Sequence, residues 1–450
     1  QDCRGRRRGG RLPVTVTVVG GGLAGCEAAW ALAERGVSVR LVEMRPVRPT
    51  PAHQTDRLAE LVCSNSFKST EASNAHGLLK AEVRRLGSLL LPCADRAAVP
   101  AGAALAVDRV AFSADVHARI TSHPAITLER AEAEDIPSPG VVATGPLTSE
   151  ALSRALAQRL GTGGLAFYDA IAPIVSRESL DAAQLYPMSR YGKGEGDDYL
   201  NAPLDRERYE AFIAALISAD QFTAHEFDAV PYFEGCLPVE VMASRGIDTL
   251  RFGPMKPVGL PDPSTGRDPY AVVQLRREDR AGQMWNLVGF QTRLRIPEQR
   301  RVFSLIPGLT NAEFLRFGSI HRNTYVNSPA ALGPGLTLRD DDQVFVAGQI
   351  TGVEGYTESL ATGLMAGINL ARRLAGKPVA VPPPTTMLGG LYRYLRDADP
   401  AHFQPMNANF GLLEPLAGGR GGRGPGSKDE KKRRLVERAQ ADFESWAAGL

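Results

Sequence analysis

Hydrophobic and polar positions alternate with a period of two over Val14–Val19, and the run passes directly into Gly20-Gly-Gly-Leu-Ala-Gly25. That pattern predicts a strand and a tight turn. Cys26–Arg35 then reads as a helix, Gly36 stops it, and Val37–Val42 predicts a second strand that ends at Glu43. Further along, the periodicity predicts a helical turn over Arg57–Val62 and a helix over Gly77–Leu91, with Glu82, Arg84 and Arg85 on its outer face. It also predicts an amphipathic helix over Val110–Ile120, a strand over Ala125–Arg130, and a buried strand with a glycine turn over Gly140–Pro146. Short strands at Ala271–Leu275 and Trp285–Phe290 lie in a stretch rich in Tyr, Arg and Pro. Val344–Gln349 restores a hydrophobic strand, and Gly355–Gly363 leads into a helix over Leu364–Leu374. Ser427 and Glu430 form a capping-box signature for a last helix. Its Leu435, Ala439, Phe443, Trp446 and Leu450 share one face, which predicts docking on the body or on a partner.

The order of these elements predicts an α/β protein with a discontinuous Rossmann-like domain and an inserted α+β domain. The expected divisions are a basic leader at 1–11, nucleotide-binding parts at 12–180 and 325–417, and a substrate domain at 181–324 between them. Residues 418–450 form a Gly/Arg linker and the last helix.

Composition adds limits. The chain has 450 residues, 43% of them hydrophobic and 23% charged, as an ordinary soluble protein would. It holds no apolar run of membrane-spanning length. A net charge of +2 hides basic ends, five Arg within residues 1–11 and seven Lys or Arg within 420–434, around an acidic body. Charge therefore neither requires nor excludes a nucleic-acid partner. The five cysteines (Cys3, Cys26, Cys63, Cys93, Cys236) contain no CxxC pair, so no metal site is expected, and their scatter suggests reduced thiols in a cytoplasm. Cys3, Cys26 and Cys93 read as a leader residue, a helix packed on the sheet and a loop.

The glycine turn carries the first chemistry. Gly20, Gly21, Gly22, Leu23, Ala24 and Gly25 between strand and helix, with an acid about 20 residues on, form a dinucleotide fingerprint. A pyrophosphate would sit on the helix N-terminus, and Glu43 would accept hydrogen bonds from a ribose. Thr144 and Gly145 end the strand that a two-dinucleotide-fold sheet adds next. A second glycine turn at Gly348, Gln349, Gly352 and Gly355 favours FAD over NAD, because the flavin half needs its own turn and helix N-terminus. No second complete fingerprint for NAD(P)H lies within residues 44–343.

Several longer segments resemble one family. Leu61–Lys68, Tyr232–Glu240, Leu250–Gly259, Asn286–Leu294, Ile320–Pro329 and Gly348–Gly363 are similar to the folate- and FAD-dependent tRNA (uracil-5-)-methyltransferases, relatives of the larger flavoproteins that modify wobble uridines. The resemblance runs from about Val14 to Leu374 and implies a reaction. A one-carbon unit from 5,10-methylenetetrahydrofolate reaches C5 of a T-loop uridine through reduced flavin, which NADH or NADPH recharges. Uracil C5 is a weak nucleophile until a thiolate adds at C6, so cysteines are needed. Cys63 and Cys236 are the candidates, with Cys236 preferred as the C6 nucleophile and the reverse assignment open. Tyr356 is a candidate to stack on pterin or flavin; His321, Arg322 and Asn323 could position folate or uracil. Lys256, Arg276, Arg277, Arg293 and Arg295 are candidates for a phosphate-binding face. Two other readings fit the fold: an FAD oxidoreductase acting on a small molecule, and a flavin subunit of a wobble-uridine-modifying complex.

Overall fold

The strand β1 (Thr15–Val19), the helix α1 (Leu23–Ala33) and the strand β2 (Ser38–Glu43) form the unit on which the first domain is built. The computed structural model describes residues 15–50, 52–161, 165–222, 237–279, 281–416 and 428–450. The basic leader, the Gly/Arg linker, Ser427 of the capping box and Cys236 lie outside the described residues. A five-stranded parallel sheet runs in the order Val344–Val346, Gly140–Val142, β1, β2, Ile126–Arg130. β1 is central, with Val18 opposite Leu41 on one side and Val141 on the other. Both neighbours bury it, which is why Val16 and Val18 are fully enclosed.

The helix Tyr356–Leu374 packs along α1. A Cβ at Gly363 would fall on the backbone of Ala24, and one at Gly367 would stand 2.5 Å from the carbonyl oxygen of Ala28. Glycine on one helix facing alanine on the other lets the two backbones approach closely. The helix following the second glycine turn is thereby fixed against the helix following the first.

A second body is built on a six-stranded antiparallel sheet in the order Tyr186–Pro187, Tyr199–Leu204, Ala271–Arg277, Met284–Leu287, Ile174–Ser176, Phe314–Arg316. Its core joins sheet residues such as Val273 and Leu287 to Phe212, Val239 and Phe303 from three helices. The chain leaves and returns through an antiparallel ribbon, Leu165–Ile171 against Ser319–Tyr325. The strand Ile174–Ser176 belongs to the second sheet, so a division at 181 would separate it from its partners.

Four local expectations differ from the structure. Gly77–Leu91 is two helices, Ala75–Arg85 and Leu90–Arg96, and the left-handed Gly87 lies between them. Cys93 therefore sits in a helix and not a loop. Arg57–Val62 is an extended turn without helix. Glu82 does not face solvent: it is buried, and its two oxygens accept the N–H groups of Met387 and Leu388 at 2.8 and 2.7 Å. It thus caps the helix Met387–Asp397, whose first N–H groups have no partner within the helix.

Burial pushes the Glu82 carboxyl up to about 8, against the pull of those two N–H groups. Its folded pKa lies above the unfolded value, so its contribution to stability is whole at low pH and is lost as pH rises through about 8. Glu82→Gln should therefore flatten part of the fall in Tm between roughly pH 4.5 and pH 8. Equal slopes in wild type and variant would contradict this assignment.

The last helix, Lys428–Ala447, places Leu435, Ala439 and Phe443 in the first core, with Trp446 and Leu450 at its edge. It docks on the body, beside the helix Ala75–Arg85, where Arg85 meets Glu444 at 2.8 Å.

Candidate active site

A cleft of about 960 Å³ opens where β1 and its two parallel neighbours end. One end is lined by Glu43, the middle by Gly20–Ala24 and Thr144–Gly145, and the other end by Gly348, Gln349 and Tyr356. Gly20 is left-handed, at φ +104°, and its N–H donates to the Val42 carbonyl at 2.8 Å, which turns the chain from strand into helix. Gly22 caps α1 and is open: a Cβ there would meet nothing within 4 Å. A phosphate can therefore approach the free N–H groups of the helix.

Glu43 is already engaged. Its Oε2 accepts the Gly21 N–H at 2.8 Å, and its Oε1 accepts both the N–H and Nε of Arg45, at 2.9 and 2.8 Å. Burial alone would raise its pKa; Arg45 and Gly21 overcome that and hold the carboxyl below the usual range. With these donors in place, Oε2 keeps one acceptor position for a ribose hydroxyl. Sequence pattern alone singles out the acid and passes over Arg45, although Arg45 fixes its charge state.

Of the second glycine turn, Gly348 and Gln349 line the cleft, and the Gly348 N–H is held by Thr362 Oγ1 at 2.9 Å. Gly352 has another role, since a Cβ there would strike the Phe403 ring. Gly355 is the N-cap of the helix Tyr356–Leu374. The residues present fit an extended dinucleotide with phosphate groups at its middle.

Cys63 stands beside the far end of this cleft, half-buried, on a loop clamped from three sides. The Tyr356 hydroxyl accepts the N–H groups of Cys63 and Ser64, both at 3.0 Å, and donates to the Ser64 carbonyl at 2.8 Å. Burial, with Cys63 adding to it, pushes the Tyr356 pKa up, so the hydroxyl keeps the proton it donates. Arg109 reaches the carbonyls of Leu61 and Cys63 at 2.9 and 3.4 Å while its Nε pairs with Glu278 of the second body at 2.7 Å. Asn65, fully buried, donates to the carbonyls of Val107 and Arg277 at 3.0 and 2.8 Å and accepts from Arg276 at 3.0 Å. The thiol-bearing loop is thus fastened to both bodies at once. Tyr356, a candidate stacking ring by sequence, uses its hydroxyl as a clamp while its ring lines the cleft.

The basic residues do not form one open face. Arg276 is buried on Asn65, Arg277 lies over Trp285, and Arg295 lies over Phe222. Arg293 stands against the buried Glu240, which also accepts its backbone N–H at 2.8 Å. Lys256 is exposed. His321, Arg322 and Asn323 lie in the ribbon strand Ser319–Tyr325, which passes the turn Gly145–Leu147, and not in a loop. Among the described residues no helix is long and apolar enough to cross a membrane.

Fold and cleft together define a dinucleotide-binding α/β protein with an inserted second body and a thiol-bearing loop at their junction. Residues 15–378 match the model of the family described as Glucose inhibited division protein A. The protein named methylenetetrahydrofolate–tRNA-(uracil-5-)-methyltransferase TrmFO in Geobacter sulfurreducens is 56% identical over 435 residues, 96% of this chain and 99% of that protein. A namesake in Thermus thermophilus is 54% identical over 437 residues, 97% of each chain. Aquifex aeolicus GidA shares the fold, with a TM-score of 0.67 at 15% identity over 96% of this chain and 74% of that one. The chain belongs to the Glucose inhibited division protein A family and, within it, to the TrmFO methyltransferases.

Proposed function

We propose that this protein transfers a one-carbon unit from 5,10-methylenetetrahydrofolate to C5 of a T-loop uridine in tRNA, in the cytoplasm. The observation that carries the reading is the Cys63 loop, held at the end of a dinucleotide cleft by Tyr356, Arg109 and Asn65. A small-molecule oxidoreductase would need the cleft but not a clamped thiol.

FAD, held by Gly20–Gly25, Glu43, Thr144–Gly145 and Gly348–Gln349, would supply the reducing equivalents and the one-carbon relay, and NADH or NADPH would restore it. The chain's own residues do the rest. The Cys236 thiolate adds to uracil C6 and makes C5 nucleophilic; C5 then bonds to the one-carbon unit as that unit's bond to its carrier breaks, and loss of the C5 proton expels the thiolate and restores the C5–C6 double bond. Cys63, beside the cleft, receives that proton in this reading. The uridine must first leave its stack, at a few kcal/mol, which contacts to the tRNA backbone offset.

Purified protein incubated with labelled methylenetetrahydrofolate, NAD(P)H and unmodified tRNA transcript should place label in uracil C5. Cys236→Ala and Cys63→Ala should each abolish transfer while flavin stays bound. A wild-type protein with reducible flavin and no labelled uracil would sink the reading. Covalent RNA capture by Cys236→Ala but not by Cys63→Ala would reverse the two thiols.

A further inference from the structure

The loop 192–198 leads into the strand Tyr199–Leu204 of the second body and lies against the first. Three contacts cross the junction here. Asp198 Oδ2 accepts the Gly102 N–H at 2.5 Å, the Tyr199 hydroxyl donates to the Ala101 carbonyl at 3.1 Å, and Lys193 pairs with Glu71 at 2.7 Å. The fit is close. A Cβ on Gly194 would strike Asp198 Oδ2 and stand 2.6 Å from the Gly102 Cα.

The loop gathers negative charge without a matching cation. One carboxylate oxygen from each of Glu195, Asp197 and Asp198 lies within 4.8 Å of the other two. Glu195 and Asp197 are exposed, whereas Asp198 is 1% accessible. Among the described residues none of the three forms an ion pair, since the loop's lysine, Lys193, is engaged by Glu71. Asp198 adds an independent sign. Its Oδ1 is enclosed and has no hydrogen-bond donor among the described residues. A carboxylate oxygen cut off from solvent is costly unless a donor or a cation meets it.

We propose that Glu195, Asp197 and Asp198 bind one hard divalent cation, Ca²⁺ or Mg²⁺, which neutralises the loop and holds it on the first body. Oxygen donors select this class of ion, and the lack of paired cysteines bears only on softer, zinc-type sites. Ca²⁺ takes its oxygens at about 2.3–2.6 Å, so two on opposite sides of the ion stand about 4.6–5.2 Å apart, the scale of this cluster. Mg²⁺ would draw them to about 4.2 Å or less, a closure within reach of the two exposed side chains. Buried Asp198 forms the fixed wall of the site, and water completes the shell on the open side.

Flavin-loaded protein, stripped with EDTA and returned to metal-free buffer, is titrated by calorimetry with CaCl2 and, separately, with MgCl2. tRNA is left out because it binds Mg²⁺ itself. One equivalent of at least one cation should bind with a sub-millimolar Kd, and saturation should raise Tm by about 2–4 °C. Asp197→Asn and Glu195→Gln alter exposed side chains that hold nothing else in place, so both variants should fold as wild type. Each should weaken binding by roughly tenfold or more, because ligand charge sets the affinity of such sites. Asp198→Asn keeps an acceptor for the Gly102 N–H and should abolish binding. Saturable binding of neither cation by wild type overturns the proposal. Wild-type affinity in all three variants places the cation elsewhere and overturns it as well.

Discussion

Gly25→Ala is expected to yield a folded protein that purifies without its dinucleotide. A Cβ at position 25 would land on the carbonyl of Gly20, which is backbone and cannot swing aside. α1 would have to withdraw from the turn, and its N-terminal N–H groups would move away from the phosphate position. Overpacking of this kind costs about 1–3 kcal/mol, so the fold should survive with a lowered Tm. Cofactor affinity should fall by at least roughly tenfold, because each 1.4 kcal/mol of lost phosphate contact is about a factor of ten. Flavin absorbance after desalting, and the Kd for added FAD, measure it. Gly22→Ala is the matching control. There the protein offers open space, so a loss of flavin would report the ligand's own close approach and not a displaced helix. Full flavin retention in Gly25→Ala would remove the turn from the binding site.

The first βαβ unit is legible in the sequence because its signals are local. Alternating valines, glycines at fixed spacing and an acid at the next strand end all act within Thr15–Glu43, and the structure pairs them in parallel register. Glu82 shows where local reading stops. A glutamate on an amphipathic helix reads as solvated, but this one meets the start of a helix 305 residues further on. Periodicity carries no information about what will dock on a face. The same holds for Gly352, which reads as part of a cofactor turn and instead leaves room for the Phe403 ring.

Cys63 is legible as a thiol in polar surroundings, whereas the residues that hold it are not. Asn65 lies only two positions on, but its partners include Arg277 and Arg276, more than 200 residues away. Arg109 begins an ordinary amphipathic helix, and nothing in that helix marks it as the link between two bodies. An arginine next to a helix-capping Asp108 gives a weak signal at best. The one sign in the sequence is its position: a helix whose first residue is basic works against its own dipole, which invites another explanation.

Removing Arg109 should accordingly have the largest effect on chemistry outside the thiols themselves. Arg109→Met leaves the buried Glu278 carboxylate without its partner and releases the carbonyls of Leu61 and Cys63. Breaking one side of a buried pair costs about 3–5 kcal/mol, most of it the stranded charge. Glu278→Leu in the same chain removes that charge. The double variant should recover most of the lost stability, which denaturant unfolding reads. It should not recover methyl transfer, because the two carbonyls remain unheld and the Cys63 loop is free to shift. Misplacing a reacting group by about 1 Å can cost on the order of 100-fold in rate. Stability and activity therefore separate in the double variant: the ion pair stabilises the junction, and the remaining guanidinium bonds position the thiol. Recovery of both together would mean that Arg109 acts through stability alone.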